Sequence, residues 1–330
     1  MQFDRVISLY LDDCHSRQLR PKTLQSYEQA LRLFGKWLEE QHGITQAEEV
    51  RELHVRSYIN DLQSRGKYTY SIDPQKEQIN QPQHRRDYQG KITNVTINNY
   101  LRNIRAFFRW LVEVEYIDRS PMKRIRLLPD ERCAREYLED DEVMRLLKGL
   151  DQGFYPEHRD YAIMMLMLDS GTRLGETLSA EVKQLDLYER SLHLPADKTK
   201  GRKARTVFFS SKTARVLRLW LQYKDRYCDS DYLFPVKHSG FALHVSDFEK
   251  NFTKYCQRAG IRKRVSPHTL RNNFAKRCLM AGMDIYSLSR ILGHSSVTVT
   301  EQAYLDVTEH DLKKQYGQYS PIEGIYRRRK

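Results

Sequence analysis

With 330 residues the chain is long enough for two domains of roughly 100 to 200 residues, each burying its own core. It carries 56 Lys and Arg against 43 Asp and Glu, a formal charge of +13, so a polyanion is the expected partner and nucleic acid is favoured over a membrane. No stretch is apolar enough to span a bilayer, and the opening MQFDRVISLYLDDC lacks the basic and apolar regions of an export signal, so a cytoplasmic, DNA-associated protein is expected.

Phe3, Ile7 and Tyr10 form one stripe of a short helix over residues 3 to 13, which Arg20, Pro21 and Lys22 interrupt. From Thr23, Leu24, Tyr27, Leu31, Phe34 and Leu38 recur at helical spacing, with Lys22, Arg32 and Lys36 on or near the other face. A third helix is predicted from Ala47 to Leu62 on Val50, Leu53, Val55, Tyr58, Ile59 and Leu62, and a fourth from Thr96 to Val114 on Ile97, Leu101, Ile104, Phe108 and Leu111. Arg102, Arg105 and Arg109 lie elsewhere around that fourth helix. Charge on a helix usually means a solvated face. Recurrent basic helices in a chain of this charge nevertheless favour phosphate contact, making Lys22, Arg102, Arg105 and Arg109 DNA-binding candidates that position DNA without reading its sequence.

Residues 64–93 are irregular and rich in Gln, Lys and Arg, punctuated by Gly66, Pro74, Pro82 and Gly90. So long a connection is functional or mobile. A DNA-contacting arm and a disordered segment are equal readings, and Tyr68, Tyr70 and Ile72 alternate as a short strand would. Residues 122–136, basic and poor in apolar residues, are the expected linker between an N-terminal helical domain, 1–121, and a second domain, 137–330. Such a linker would let two lobes close round a duplex as a clamp.

In the second domain a helix begins near Leu138, its entry marked by Glu139, Asp140 and Asp141. His158 to Asp169 is apolar almost all round and so predicts a buried helix. It stops at Ser170, Gly171 and Thr172, and Arg173 follows at once, placed to aim a guanidinium into a cleft with Glu176 near enough to orient it. Leu192 to Leu194 and Arg205 to Phe209 flank the turn-rich ADKTKGRKA, so a hairpin carries Lys198, Lys200, Arg202 and Lys203 at its tip. That tip reads either as a solvated basic turn or as a source of a lysine that protonates a leaving group; Arg202 and Lys203 join the DNA-binding candidates. Further helices are predicted at Lys212 to Tyr227, Ser246 to Ala259, Thr269 to Ala281, Asp284 to Leu292 and Thr308 to Tyr316.

The chemistry concentrates in Ser266 to Tyr304. His268 and Arg271, three residues apart, share a helix face; Leu292, Gly293 and His294 follow an apolar run, and Tyr304 comes after them. Cations, a proton carrier and a phenol suit an anionic phosphorus centre. The five cysteines (Cys14, Cys133, Cys228, Cys256, Cys278) form no CxxC pair and the histidines are scattered, so reduced thiols, no metal and no cofactor are expected.

These pieces resemble the tyrosine recombinases, or phage integrases, a family that includes Xer-type and lambda-like enzymes. SGTRLGE is similar to its first arginine motif, TKGRKARTVFF to its hairpin lysine motif, and SPHTLRNNFA with LGHSSVTVTEQAY to its second box. The six signature positions fall in order on Arg173, Lys200, His268, Arg271, His294 and Tyr304, and the resemblance covers nearly the whole chain. Asn272 stands where many relatives carry histidine, and His294 and Tyr304 are one residue further apart than in the common pattern.

The resemblance implies a mainly α fold with a small β-sheet in the catalytic domain, preceded by a helical, SAM-like core-binding domain. It implies a site-specific DNA recombinase with Tyr304 as nucleophile, Lys200 as general acid, His268 as acid/base, and Arg173, Arg271 and His294 on the phosphate. Partners would be duplex DNA bearing a recombination site, three further copies in a synaptic tetramer and an accessory DNA-bending or directionality protein, with the C-terminal tail docked on a neighbouring copy. Alternatives are a type IB topoisomerase or telomere resolvase, which use related chemistry, and a non-catalytic DNA-binding regulator.

Overall fold

The computed structural model describes residues 2–72, 81–129, 136–199, 201–294, 296–298 and 316. The chain divides into two compact units, Met1–Cys133 and Ala134–Lys330. Among the described residues helices dominate, with one three-stranded antiparallel sheet in the second unit, so the mainly α class expected from the sequence is the one adopted. None of the described helices is long and apolar enough to cross a membrane.

The N-terminal unit is built on α1 (Phe3–Ser16), α2 (Pro21–His42), α3 (Glu52–Ser64) and α4 (Asn94–Glu113). Pro21 opens α2, where its missing N–H would have had no partner anyway. The apolar stripes turn inward: Ile7, Tyr10, Leu31, Phe34, Tyr58, Leu62, Leu101 and Phe107 are all buried. Their rings interlock, Phe34 with Tyr58 at 4.9 Å and Tyr10 edge-on to Phe107 at 5.5 Å. Each such pair contributes about 0.5–1.5 kcal/mol beyond the area it buries.

Two local expectations fail here for backbone reasons. The helix expected from Ala47 is a 3₁₀ turn (Ala47–Glu49) and then α3, because Val50 and Arg51 are extended; Leu53, counted in the apolar stripe, is 61% exposed. The strand expected at Tyr68 to Ile72 does not form, since Tyr68 has a φ of 62°, a left-handed conformation that ends a run of extended backbone. Side chains anchor this stretch instead: Lys36 donates to the Ser71 carbonyl and the Tyr70 hydroxyl donates to Glu40, both at 2.7 Å. Residues 73–80, the middle of the irregular segment, lie outside the described residues.

The segment expected as a linker starts inside the N-terminal core, where Met122 and Ile125 are buried. Asn98 on α4, 2% exposed, then clips it: the amide donates to the Leu128 carbonyl at 2.9 Å, and the side-chain oxygen accepts the Leu128 N–H at 2.8 Å. In the second unit Asn273 grips Leu138 in the same two-way manner, at 2.6 and 3.1 Å. Each end of the connecting segment is thus fixed to its own unit.

The second unit runs α5 (Asp140–Lys148), α6 (Tyr155–Ser170), α7 (Leu174–Leu178), β1 (Leu185–Asp186), β2 (Ser191–Leu194), β3 (Arg205–Phe208), α8 (Ser211–Lys224), α9 (Val245–Arg258), α10 (Pro267–Met280) and α11 (Ile285–Leu292). The all-round apolar α6 is its central helix, with Ala162, Ile163, Met164, Leu166 and Met167 buried. A charged group is buried beside them: Asp160 accepts from Arg159 Nε at 2.9 Å, Asn251 Nδ2 at 3.0 Å and the Tyr255 hydroxyl at 2.9 Å, joining α6 to α9. The expected hairpin forms, with Leu192 opposite Val207 and Leu194 opposite Arg205. Strand β1, two residues long, adds an edge that is too short to leave a period in the sequence.

Candidate active site

Four elements end or begin at one place in the second unit. Helix α6 stops at Gly171, whose φ of 65° suits glycine and whose Cβ, if present, would stand 2.3 Å from the Phe274 ring. This tight turn delivers Arg173 to the start of α7. Glu176, third in that helix and 3% exposed, accepts the Arg173 N–H at 3.0 Å and its Nη1 at 2.9 Å, so the expected orienting contact is present.

Helix α10 opens at Pro267, with His268 exposed in its first turn and Arg271 one turn further in. Arg271 is 1% exposed. Its Nη1 donates to the Gly171 carbonyl at 2.6 Å, and its Nη2 donates to the Leu292 carbonyl at 2.7 Å and to His294 Nε2 at 3.0 Å. One guanidinium therefore ties the ends of α6 and α11 together and holds His294.

The C-terminal end of α11 is where the cations converge. The Ile291 carbonyl accepts from Arg205 Nε at 3.0 Å, the Leu292 carbonyl from Arg271 Nη2 at 2.7 Å, and the Gly293 carbonyl from Arg173 Nη2 at 3.5 Å. Unpaired carbonyls at a helix C-terminus carry about half a negative charge, which offsets part of the repulsion among three guanidinium groups. Glu176 offsets more. The site keeps a net positive charge suited to a phosphate.

Arg205 is a residue of this cluster that sequence reasoning missed. It comes from β3 and grips both oxygens of Glu176, Nη1 to Oε1 at 3.1 Å and Nη2 to Oε2 at 2.6 Å. Strand parity was the available signal: Arg205 and Val207 share a face, Val207 is buried, and a charge on the inward face needs a partner.

His294 is half-buried, and its pKa is pushed down to about 4, first by burial and then by the charges of Arg271, Arg173 and Arg205. His268 adds a last, smaller push in the same direction. On the hairpin, Lys198 is turned away from solvent and donates to the Ser179 carbonyl at 2.8 Å and to Glu181. The buried Thr199 hydroxyl closes the following turn, donating to the Lys203 carbonyl at 2.9 Å and accepting its N–H at 3.1 Å. Arg202 and Lys203 are exposed. Lys200 and Tyr304 lie outside the described residues. Of the expected cluster, Arg173, Glu176, Arg271 and His294 are brought together, and His268 is exposed in the first turn of α10, three residues before Arg271.

The expected DNA contacts of the N-terminal unit sort unevenly. Lys22 is exposed in the first turn of α2. Arg105 is turned inward and donates to the Ile125 carbonyl at 2.7 Å, whereas Arg102 donates to Asn99 at 2.9 Å and Arg109 pairs with Glu113 at 2.8 Å. A stronger basic feature lies elsewhere: an open groove of about 670 Å³ lined by Arg51, Arg56, Arg119, Lys123 and Arg124. Its one acid, Glu52, is already paired with Arg56 at 2.7 Å.

A sequence model of the phage integrase family matches residues 136–311, more than half of the chain. The chain belongs to the phage integrase family. The family's N-terminal SAM-like domain matches residues 7–73 as well. Tyrosine recombinase XerD of Listeria monocytogenes serotype 4b (strain F2365) is 25% identical over 311 residues, covering 92% of this chain and 94% of that protein. Tyrosine recombinase XerD of Shewanella oneidensis is 27% identical over 325 residues, covering 97% and 98%. Among solved structures, the Tn1549 transposon integrase in complex with circular intermediate DNA superposes with a TM-score of 0.71 at 18% identity, covering 96% of this chain and 99% of that one. That last likeness is one of fold. Membership of the phage integrase family makes this chain an enzyme of the tyrosine recombinase class.

Proposed function

We propose that this phage integrase family member is a site-specific DNA recombinase that cleaves and rejoins duplex DNA through a covalent 3′-phosphotyrosine on Tyr304. The observation that carries this reading is the gathering of Arg173, Arg271 and a neutral His294 at the end of α11, around a net positive charge. Such an arrangement receives a phosphodiester and offsets the charge that grows on its non-bridging oxygens as a fifth ligand attacks phosphorus.

The Tyr304 oxygen forms the new bond to phosphorus while the bond to the 5′ oxygen breaks. A phenol with an ordinary pKa of roughly 10 gives up its proton with help from His268, and Lys200 donates a proton to the departing 5′ oxygen. The phosphotyrosine preserves the energy of the phosphodiester, so a 5′ hydroxyl from a second duplex reverses the step without ATP. Two such exchanges pass through a Holliday junction, with four copies acting on two paired sites. Residues 1–121 would be the core-binding domain, 122–136 the linker and 137–330 the catalytic domain. The basic groove at Arg51, Arg119, Lys123 and Arg124 supports a phosphate-tracking role for the first of these.

Incubation with a nicked suicide duplex carrying the recombination site tests the reading. An SDS-resistant protein–DNA adduct is expected from the wild type and not from Tyr304→Phe; no adduct on any cognate site would favour a binding protein, and relaxation of plasmid lacking the site would favour a topoisomerase.

A further inference from the structure

We infer that Arg205 is a positioning residue for strand cleavage, acting on the scissile phosphate through Glu176 and Arg173. The inference rests on the covalent reading above and adds a residue outside the six signature positions.

The geometry runs in one direction. Glu176 presents its two oxygens to Arg205 at 3.1 and 2.6 Å, and the same carboxylate accepts both the backbone N–H and Nη1 of Arg173. A carboxylate gripped at two points by a rigid planar fork has one orientation, and it passes that orientation to Arg173. The third contact of Arg205, Nε to the Ile291 carbonyl at 3.0 Å, fixes the last turn of α11 just before His294. Gly293 makes room for this: with φ of 64° it has no Cβ, and one built there would meet the Arg205 side chain at 2.9 Å. Arg205 thus lies beneath both groups that face the phosphate. None of its three polar contacts is spent on solvent, and its side chain is 10% exposed.

Its strand gives this a second consequence. Arg205 begins β3 and stands five residues after Lys200 in the sequence, so the strand that follows the proposed general acid is pinned by this one side chain to the carboxylate that orients Arg173. Lysine at this position would keep the charge and lose the two-point fit.

The test uses the full chain and a nicked suicide duplex with either a native phosphodiester or a methylphosphonate at the scissile position, and reads strand cleavage. The methyl group removes the charge that the arginines offset, so an arginine serving that charge matters less on this substrate. Arg173→Ala is the reference. Arg205→Ala should cut the native substrate about 30-fold or more slowly than wild type, yet come within about threefold of it on methylphosphonate, with duplex affinity kept. Arg205→Lys should fall between the two. Should Arg205→Ala not fold, Arg205→Lys is read by the same comparison. An equal deficit on both substrates, or one that follows weakened duplex binding, overturns the role of Arg205 alone. A wild type that leaves the native substrate uncut overturns the covalent reading and this one with it.

Discussion

Arg271 Nη2 lies 3.0 Å from His294 Nε2, and a guanidinium has only protons to offer, so that ring nitrogen is the acceptor and His294 carries its proton on Nδ1. A charged imidazolium could not accept this bond. The pKa pushed down to about 4 by burial and by three arginines agrees with a neutral ring.

The first prediction is therefore that His294 does not titrate near neutrality. Its ring signals in a histidine-selective NMR titration should stay constant from about pH 8 to about pH 5, where an unperturbed histidine would have passed its midpoint near about 6.5. The stability consequence follows in sign. As pH falls below about 6.5 the unfolded chain takes up the proton before the folded one does, so this group takes away stability progressively from there down to about pH 4, the full loss remains below that, and it costs nothing above about 6.5. His294→Gln should lose less thermal stability than wild type over that acid window.

The two arginines proposed to bind the phosphate should separate in a denaturation experiment. Arg271 is 1% exposed and bonds the ends of two helices, so Arg271→Ala leaves buried carbonyls unpaired and should cost about 2–4 kcal/mol in urea. Arg173 is partly exposed, and Glu176 keeps Arg205 when Arg173 is removed, so Arg173→Ala should cost about 1 kcal/mol or less. Both should abolish cleavage. Equal destabilisation by the two would contradict the assignment of Arg271 to the fold as well as to the site.

Asn98 is a stability residue of the N-terminal unit. Asn98→Ala orphans the N–H and carbonyl of Leu128 together and should cost about 1–3 kcal/mol by thermal or urea unfolding. Asn98→Asp keeps the acceptor and loses the donor, and should fall between alanine and wild type.

DNA binding should be steeply salt-dependent, with the N-terminal groove carrying part of the slope. Alanine at Arg119, Lys123 and Arg124 together should flatten the log-affinity against log-salt line by about 0.9 for each phosphate no longer neutralised. Arg105→Ala should act through stability, because that side chain is spent on the Ile125 carbonyl. A groove triple variant with an unchanged slope would place the phosphate contacts elsewhere.

Much of this was legible because helices announce themselves locally. The stripes of α1, α2 and α4 and the all-round apolar α6 predicted what is buried, and Arg173, His268 and Arg271 could be placed from helix ends alone. What escaped depended on distant partners or on single backbone angles. Arg205 meets Glu176 across 29 residues and Ile291 across 86, and nothing in its neighbours encodes either contact. The inward turn of Arg105 hangs on a carbonyl 20 residues away, so a periodic pattern counted it with the surface arginines. Tyr68 broke an alternating pattern by adopting a positive φ, and the partners of the residues that follow it, Glu40 for Tyr70 and Lys36 for Ser71, lie 30 and 35 residues away.

The central claim is that Tyr304 becomes covalently joined to DNA, and peptide mapping of the adduct tests it most directly. Trypsin cleavage after Arg290 and Lys313 releases a peptide in which Tyr304 is the single tyrosine, separate from Tyr286 before it and from Tyr316 and Tyr319 after it. After nuclease trimming of the trapped DNA, the account predicts a phosphonucleotide on that peptide, located to Tyr304 by fragmentation in the mass spectrometer. The same mass on the Tyr286 peptide or on the Tyr316 and Tyr319 peptide would contradict it.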